Sequence, residues 1–285
     1  MPRRKKLENL DEEIAKVYYT AKEAQQKLGM DRDKFNYTIK TRKIERIPFL
    51  GGYGYYRKAD IDDLAEEIEA FLIAGGKARF EYKVATLETL EDEMELAALN
   101  FSRKNAEKTR EMRLEFLKAN PEITHYLYRD RDLVSSINFI PFTHDAILEF
   151  KQGQRGWALG SHRIMQFQSG QRLECIIIDM MTSTKVIPEQ RDRYAAYLLK
   201  NFAQKTMIEW ANSGVDIATV DACAGTVDGA NILKQAGFEY IGKHAERDIY
   251  HLDVDESNLP LLKNYKAALS KHKQRSKKKN DDQNK

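Results

Sequence analysis

The sequence predicts an α+β protein of two domains: a small, mostly helical one with a hairpin, followed by a larger mixed α/β one. Three observations carry this. Helix caps and a glycine turn punctuate the first 73 residues, whereas strands and helices alternate after residue 80. Between them, Ala74-Gly75-Gly76-Lys77 has the composition of a hinge. Charge divides in the same sense. Residues 1–58 carry a net +7, residues 59–262 a net −11 and residues 263–285 again +7.

In the first domain, Thr20 is an N-cap residue and Glu23, three positions on, completes a capping box. Ala21, Ala24 and Leu28 form one apolar side of a short helix that Gly29 ends, a residue suited to positive φ. Asp31 caps a second helix, whose buried stripe is Phe35 and Ile39. An extended stretch, Ile44 to Phe49, then a hairpin tip at Gly51-Gly52-Tyr53-Gly54 and a return strand at Tyr55-Tyr56-Arg57 follow. A third helix, Ile61 to Leu72, is capped by Asp60, with Ile61, Leu64, Ile68 and Leu72 along one face.

The run Tyr19-Thr20, Glu23-Ala24, Leu28-Gly29, Ile47-Pro48, Gly51-Gly52, Tyr56-Arg57, Asp60-Ile61 resembles the MerR/excisionase-like winged helix-turn-helix over about 50 residues. That resemblance implies double-stranded DNA as partner, with the second helix in the major groove. Arg32, Asn36, Tyr37 and Lys40 are its candidate base-facing residues, since Asn suits adenine edges and Arg suits guanine. Arg42 and Lys43 near its end are assigned to phosphate, and Tyr53, Tyr55 and Arg57 to contacts from the wing. The domain is expected over residues 18–73, preceded by a basic arm over 1–17 that includes Arg3, Arg4, Lys5 and Lys6.

The second domain is expected over residues 80–256. Tyr82 to Leu87 reads as a strand, Leu90 to Ala98 and Ala106 to Lys118 as helices, and Thr124 to Tyr128 and Leu133 to Pro141 as strands. A helical turn, Asp145 to Phe150, precedes the most apolar strand, Leu173 to Met180, which is expected to be central. A long helix from Arg191 to Trp210, a strand from Ile217 to Asp221, a helix from Asp228 to Ala236 and strands at Phe238 to Gly242 and Asp248 to Val254 complete it. Residues 257–285 are expected to be a basic, disordered tail.

Three stretches, Ala85 to Leu99, Val186 to Leu199 and Asn231 to Lys243 with its Gly237-Phe238, resemble the GNAT N-acetyltransferases across about 170 residues. The resemblance implies acetyl-CoA as cofactor. Its pyrophosphate would lie at a helix start formed by Arg191, Asp192, Arg193, Tyr194, Ala195 and Ala196, where backbone N–H groups and the helix dipole hold phosphate. Asp192 and Tyr194 stand where the family has glycines, adding charge and bulk. Leu233 stands where the family often has a tyrosine that protonates the leaving thiolate. Glu174 and Asp179 on the central strand are the general-base candidates.

The favoured expectation is therefore a DNA-binding regulator whose GNAT-like domain has lost catalysis. The alternatives are an active N-acetyltransferase targeted to DNA, and an excisionase-like architectural protein of a plasmid or mobile element. Other function classes are set aside. Two cysteines, Cys175 and Cys223, suit neither a disulfide framework nor a metal site, and point to buried thiols in a reducing cytoplasm. His125, His144 and His162 are scattered and suggest no metal. No apolar run approaches the roughly 20 residues of a membrane span. A homodimer is possible, although no heptad run follows Leu72.

Overall fold

The computed structural model describes residues 14–48, 54–74, 79–245 and 247–283. The chain divides into two units, Met1–Arg79 and Phe80–Lys285. No described helix is long and apolar enough to cross a membrane.

The first unit is built on a three-stranded antiparallel sheet, β1 (Tyr18–Thr20), β2 (Ile47–Pro48) and β3 (Gly54–Arg57), in the order β1-β3-β2. Helix α1 (Ala21–Leu28) starts at a complete capping box. The Glu23 N–H donates to Thr20 Oγ1 at 3.3 Å, and the Glu23 carboxylate accepts from the Thr20 N–H at 2.8 Å. Gly29, at φ 62°, turns the chain into α2 (Arg32–Arg42), where Asp31 accepts from the Lys34 N–H. Helix α3 (Lys58–Ala74) begins two residues before the expected cap at Asp60, which instead lies in its first turn and favours the positive end of the dipole. Ala24, Leu28, Phe35, Ile39, Tyr56, Ile61 and Leu64 form one core, with Phe35 edge-on to Tyr56 at 5.3 Å.

The second unit is a seven-stranded sheet. Its strands are β4 (Phe80–Val84), β5 (Thr124–Arg129), β6 (Asp132–Phe142), β7 (Arg172–Thr182), β8 (Asp216–Ala224), β9 (Glu239–His244) and β10 (Arg247–Asp253). The order is β4-β5-β6-β7-β8-β10-β9, antiparallel throughout except that β7 and β8 run parallel. The connection between that parallel pair is α7 (Pro188–Asn201), a π-helical segment (Phe202–Met207) and α8 (Ile208–Ser213). It lies on one face of the sheet, where Phe202, Met207 and Trp210 meet Phe139, Leu173, Cys175, Ile217 and Val220. The opposite face packs against α5 (Arg103–Ala119) and α6 (His144–Lys151) through Phe116, Leu117, Ile147 and Phe150. Helix α4 (Leu90–Phe101) precedes α5, and α9 (Val227–Gln235) follows β8.

The expected disordered tail is corrected by α10 (Pro260–Gln283). Leu262, Tyr265 and Leu269 recur at i, i+3 and i+7 and bury against the face that holds Trp210. The Tyr265 hydroxyl accepts from the Ile217 N–H at 2.6 Å and donates to the Val215 carbonyl at 3.1 Å. Apolar spacing, and not the charge that follows it, decides the state of residues 260–269.

Candidate functional site: a cleft where two parallel strands part

A cleft of about 400 Å³ opens where β7 and β8 stop pairing. Their parallel register runs from Arg172 beside Asp216 to Ile177 beside Ala222. Strand β7 then continues to Thr182, paired among the described residues with β6 on its other side. The cause lies in β7 itself. Asn138 of β6 sits opposite Asp179 and the next residue, Phe139, opposite Ile177, so Ile178 is an extra residue. Such a bulge bends its strand and increases its twist. Here the bend takes β7 away from β8 and leaves one backbone edge of its last residues unpaired by β8.

The walls follow from the elements that meet there. Ile177, Asp179, Met180 and Thr182 come from β7, and Ala222 and Cys223 from β8. Pro188, Arg191, Asp192, Ala195 and Leu199 come from α7. Ile232, Leu233 and Ala236 close the side of α9, and Asn100 and Phe101 end α4 at the rim. The interior is therefore mainly apolar, with charge at the start of α7. That helix begins at Ile187, which supplies no side-chain cap, and Pro188 lies in its first turn. Beside it, the Arg191 Nε is buried with no hydrogen-bond partner among the described residues. A buried donor left unsatisfied is costly, and Arg191 is one of the residues that line the cleft.

The six α7 residues expected to hold a cofactor do not share one side of the helix. Arg191, Asp192 and Ala195 line the cleft. Arg193 and Ala196 are exposed. Tyr194 is fully buried, so it adds no bulk to the cleft, contrary to expectation. Its ring packs 5.7 Å from Phe80 of β4, and its hydroxyl accepts from Arg129 Nη1 at 2.9 Å. Successive helix positions turn by 100°, so neighbours of a cleft residue readily face the core.

The two candidate bases also part. Asp179 is at the bulge, beside the cleft, and its carboxylate is fully engaged. Oδ2 accepts from Arg113 Nη2 at 2.6 Å and from Trp157 Nε1 at 3.1 Å, and Oδ1 accepts from Asn138 Nδ2 at 2.6 Å. Arg113 also pairs with the buried Glu93, which accepts from Asn138 and from the Tyr126 hydroxyl. Burial works against the Arg113 charge, but Asp179 and Glu93 outweigh it and raise the guanidinium further above its ordinary value. Both oxygens of the Asp179 carboxylate are thus taken up by Arg113, Trp157 and Asn138, and neither is turned into the cleft as a free acceptor. Glu174 is five residues back along β7, about 17 Å by strand rise. It faces His144, whose Nδ1 lies 2.6 Å from Glu174 Oε2. The structure therefore does not bring the two carboxylates together.

Cys223, expected only as a small buried thiol, lines the cleft. Burial pushes its pKa up, while Arg247, with Nη1 at 3.8 Å from Sγ, pulls it down. The opening itself has no signal in the sequence, because a bulge is a property of pairing. Cys175 is buried in the core, as is His125, whose ring stacks on Tyr82. Among the described residues, no cluster of three metal-ligating side chains occurs.

In the first unit, α2 has two distinct sides. Phe35 and Ile39 are buried, whereas Arg32, Asn36, Tyr37, Lys40, Arg42 and Lys43 are all exposed, Tyr37 to 71%. Arg42 is paired with Glu67 of α3 at 3.1 Å. Arg57 is exposed and Tyr55 half-buried on β3. Tyr53, the rest of the hairpin tip before Gly54 and the arm over residues 1–13 lie outside the described residues.

No family model matches the chain, and no curated protein matches it. Several solved structures to which it is similar are N-acetyltransferases. One is the PaiA N-acetyltransferase from Thermoplasma acidophilum in complex with coenzyme A, at 11% identity and TM-score 0.40, covering 61% of this chain and 99% of that one. The chain is also similar to Ard1 from Thermoplasma volcanium, at 10% identity and TM-score 0.41, covering 61% of this chain and 97% of that one. PH1933 from Pyrococcus horikoshii OT3 is similar at 12% identity and TM-score 0.40, covering 64% of this chain and all of that one.

Proposed function

We propose that the second unit binds an acyl-coenzyme A in the β7–β8 cleft and transfers its acyl group to an amine, as a GNAT-like N-acetyltransferase does. One observation carries the reading: a bulge-opened, apolar cleft that ends at an uncapped helix start beside a buried, unpartnered arginine nitrogen. The fit is chemical. The unpaired edge of β7 offers backbone donors and acceptors to an amide-containing arm. Met180, Ala195, Leu199 and Leu233 suit its methylenes, and Arg191 with the first turn of α7 suits phosphate. The coenzyme supplies the activated thioester. The chain's part is to hold and orient it, since Asp179 is fixed by its three donors and Leu233 has no proton to give. Burial keeps the Cys223 thiol protonated at neutral pH, as a weak donor on the cleft wall. With Tyr194 turned into the core, the bulk expected of it is absent from the cleft, and the Asp192 charge is left as the group that opposes phosphate.

Calorimetric titration of the full chain with coenzyme A and acetyl-coenzyme A tests this. Micromolar binding is expected. Arg191→Gln should weaken it by about tenfold, the loss of one charge-assisted hydrogen bond. Asp192→Asn should tighten it. No heat of binding for either ligand at millimolar concentration would overturn the proposal.

For the first unit we propose double-stranded DNA as the partner. The supporting observation is the division of α2 into a buried Phe35–Ile39 side and an exposed polar side. Asn36→Ala should relax preference at one base position, by about 1–3 kcal/mol, whereas Lys40→Ala should weaken all sequences alike. If both variants bind every duplex as the parent does, α2 is not the reading helix.

A further inference from the structure

Helix α10 changes character along its length. Its first ten residues are docked through Leu262, Tyr265 and Leu269, all buried. Beyond them, His272 lies 2.8 Å from the Asn212 carbonyl and Lys273 2.7 Å from Asp216. The helix then continues from residue 274 to Gln283, ten residues or about 15 Å of further helix. Residues 270–279 read Ser-Lys-His-Lys-Gln-Arg-Ser-Lys-Lys-Lys, six cations with no acid, and no apolar residue occurs between Ser270 and Lys285. Lys271, Arg275 and Lys277 are exposed and make no ion pair among the described residues. Lys271 with Arg275, and Lys273 with Lys277, are like charges at i and i+4, a spacing at which they repel along a helix. The segment is thus a helical row of cations carrying its own repulsion, which a row of anions would relieve.

We propose that this segment of α10 is a docking surface for duplex nucleic acid, bound through the phosphate backbone without regard to sequence. A duplex presents closely spaced phosphates in water and needs no apolar contact. A helix that lies on a membrane buries an apolar face between lipid tails, and this segment has none. The partner is therefore a polyanion that stays in water. The inference rests on neither reading above, because the surface lies in the second unit and shares no residue with its cleft. It gives that unit a nucleic-acid contact of its own.

The test is fluorescence anisotropy of a labelled 20-base-pair duplex of mixed sequence with the full chain, over a salt series. The triple variant Lys271→Gln, Arg275→Gln, Lys277→Gln is compared with the parent. Glutamine is a good helix former, so α10 should persist, and far-ultraviolet circular dichroism and the unfolding midpoint check that it does. The expected result is at least tenfold weaker binding at low salt. The slope of log K against log salt should become shallower by about 2 to 3, near 0.9 for each phosphate no longer neutralised. A second variant, Lys40→Gln with Lys43→Gln in α2, should weaken binding separately, and the two sets should add. Unchanged affinity and slope in the α10 variant overturn the proposal, whatever the α2 variant does. So does loss of binding to phosphatidylserine vesicles with duplex binding intact, which would assign the surface to membranes. Failure of coenzyme A to bind leaves this result untouched, so the two proposals fail separately.

Discussion

Strand β7 carries a carboxylate near each end, and the two ends behave differently. At the Glu174 end the strand is paired on both sides, and the acid meets one exposed histidine at the surface. At the Asp179 end a bulge has freed one edge, and the acid is sunk in a network of Arg113, Glu93, Asn138 and Trp157. The same residue class on the same strand is thus a surface charge in one place and a fixed structural anchor in the other. The bulge makes the difference, because an opened strand exposes backbone beside a cavity and needs holding from the far side. Arg113 supplies that hold from α5, stacked at 4.3 Å over the ring of Trp157.

The contrast is broken most severely by Arg113→Ala. Two carboxylates would then be buried without their cation, and about 3–5 kcal/mol of stability should be lost. Urea unfolding of the second unit measures it. A cost below about 1 kcal/mol would mean that the network is dispensable. The next effect comes from His125, which touches neither end. Burial depresses its pKa from 6.5 to about 3. The unfolded chain therefore takes up a proton that the folded chain refuses as pH falls below 6.5. His125 thus contributes stability that is present above pH 6.5 and declines through the window down to about 3, at roughly 1.4 kcal/mol for each pH unit. Denaturation at about pH 7 and about pH 5 should show it, and His125→Gln should have a shallower pH slope by about 2 kcal/mol over that interval. The smallest effect sharpens the comparison. Glu174→Gln disrupts a pair whose histidine is exposed and whose carboxylate is half-buried, and its cost should stay below about 0.5 kcal/mol. A cost comparable to that of Arg113→Ala would erase the distinction between the two ends.

What the sequence discloses and what it withholds divide by range. The capping box at Thr20 and Glu23, the left-handed Gly29 and the Asp31 cap are exchanges between near neighbours, so residue type and spacing suffice to read them. The apolar run from Leu173 onward identifies a central strand for a similar reason. The Ile178 bulge has no such signature, because it exists only relative to β6. The role of Arg113 is equally hidden, since its partners lie 20 and 66 positions away. The order of residues in a motif places Tyr194 near the cleft, but order does not say which side of a helix a residue takes. The α10 stripe is legible in its spacing, and the charge that follows it masks the signal.

The chain contains two tryptophans, and their settings make them an internal pair of lamps. Trp210 is locked in the core, its ring 3.8 Å from that of Phe167. Trp157 is half-buried, shares a carboxylate with the cleft wall and lies beneath a guanidinium. Light emitted by Trp157 should therefore shift when anything disturbs Asp179, while Trp210 supplies a steady background. Trp157→Phe would leave that background alone, and the difference between the two spectra would follow the state of the bulge without any added label.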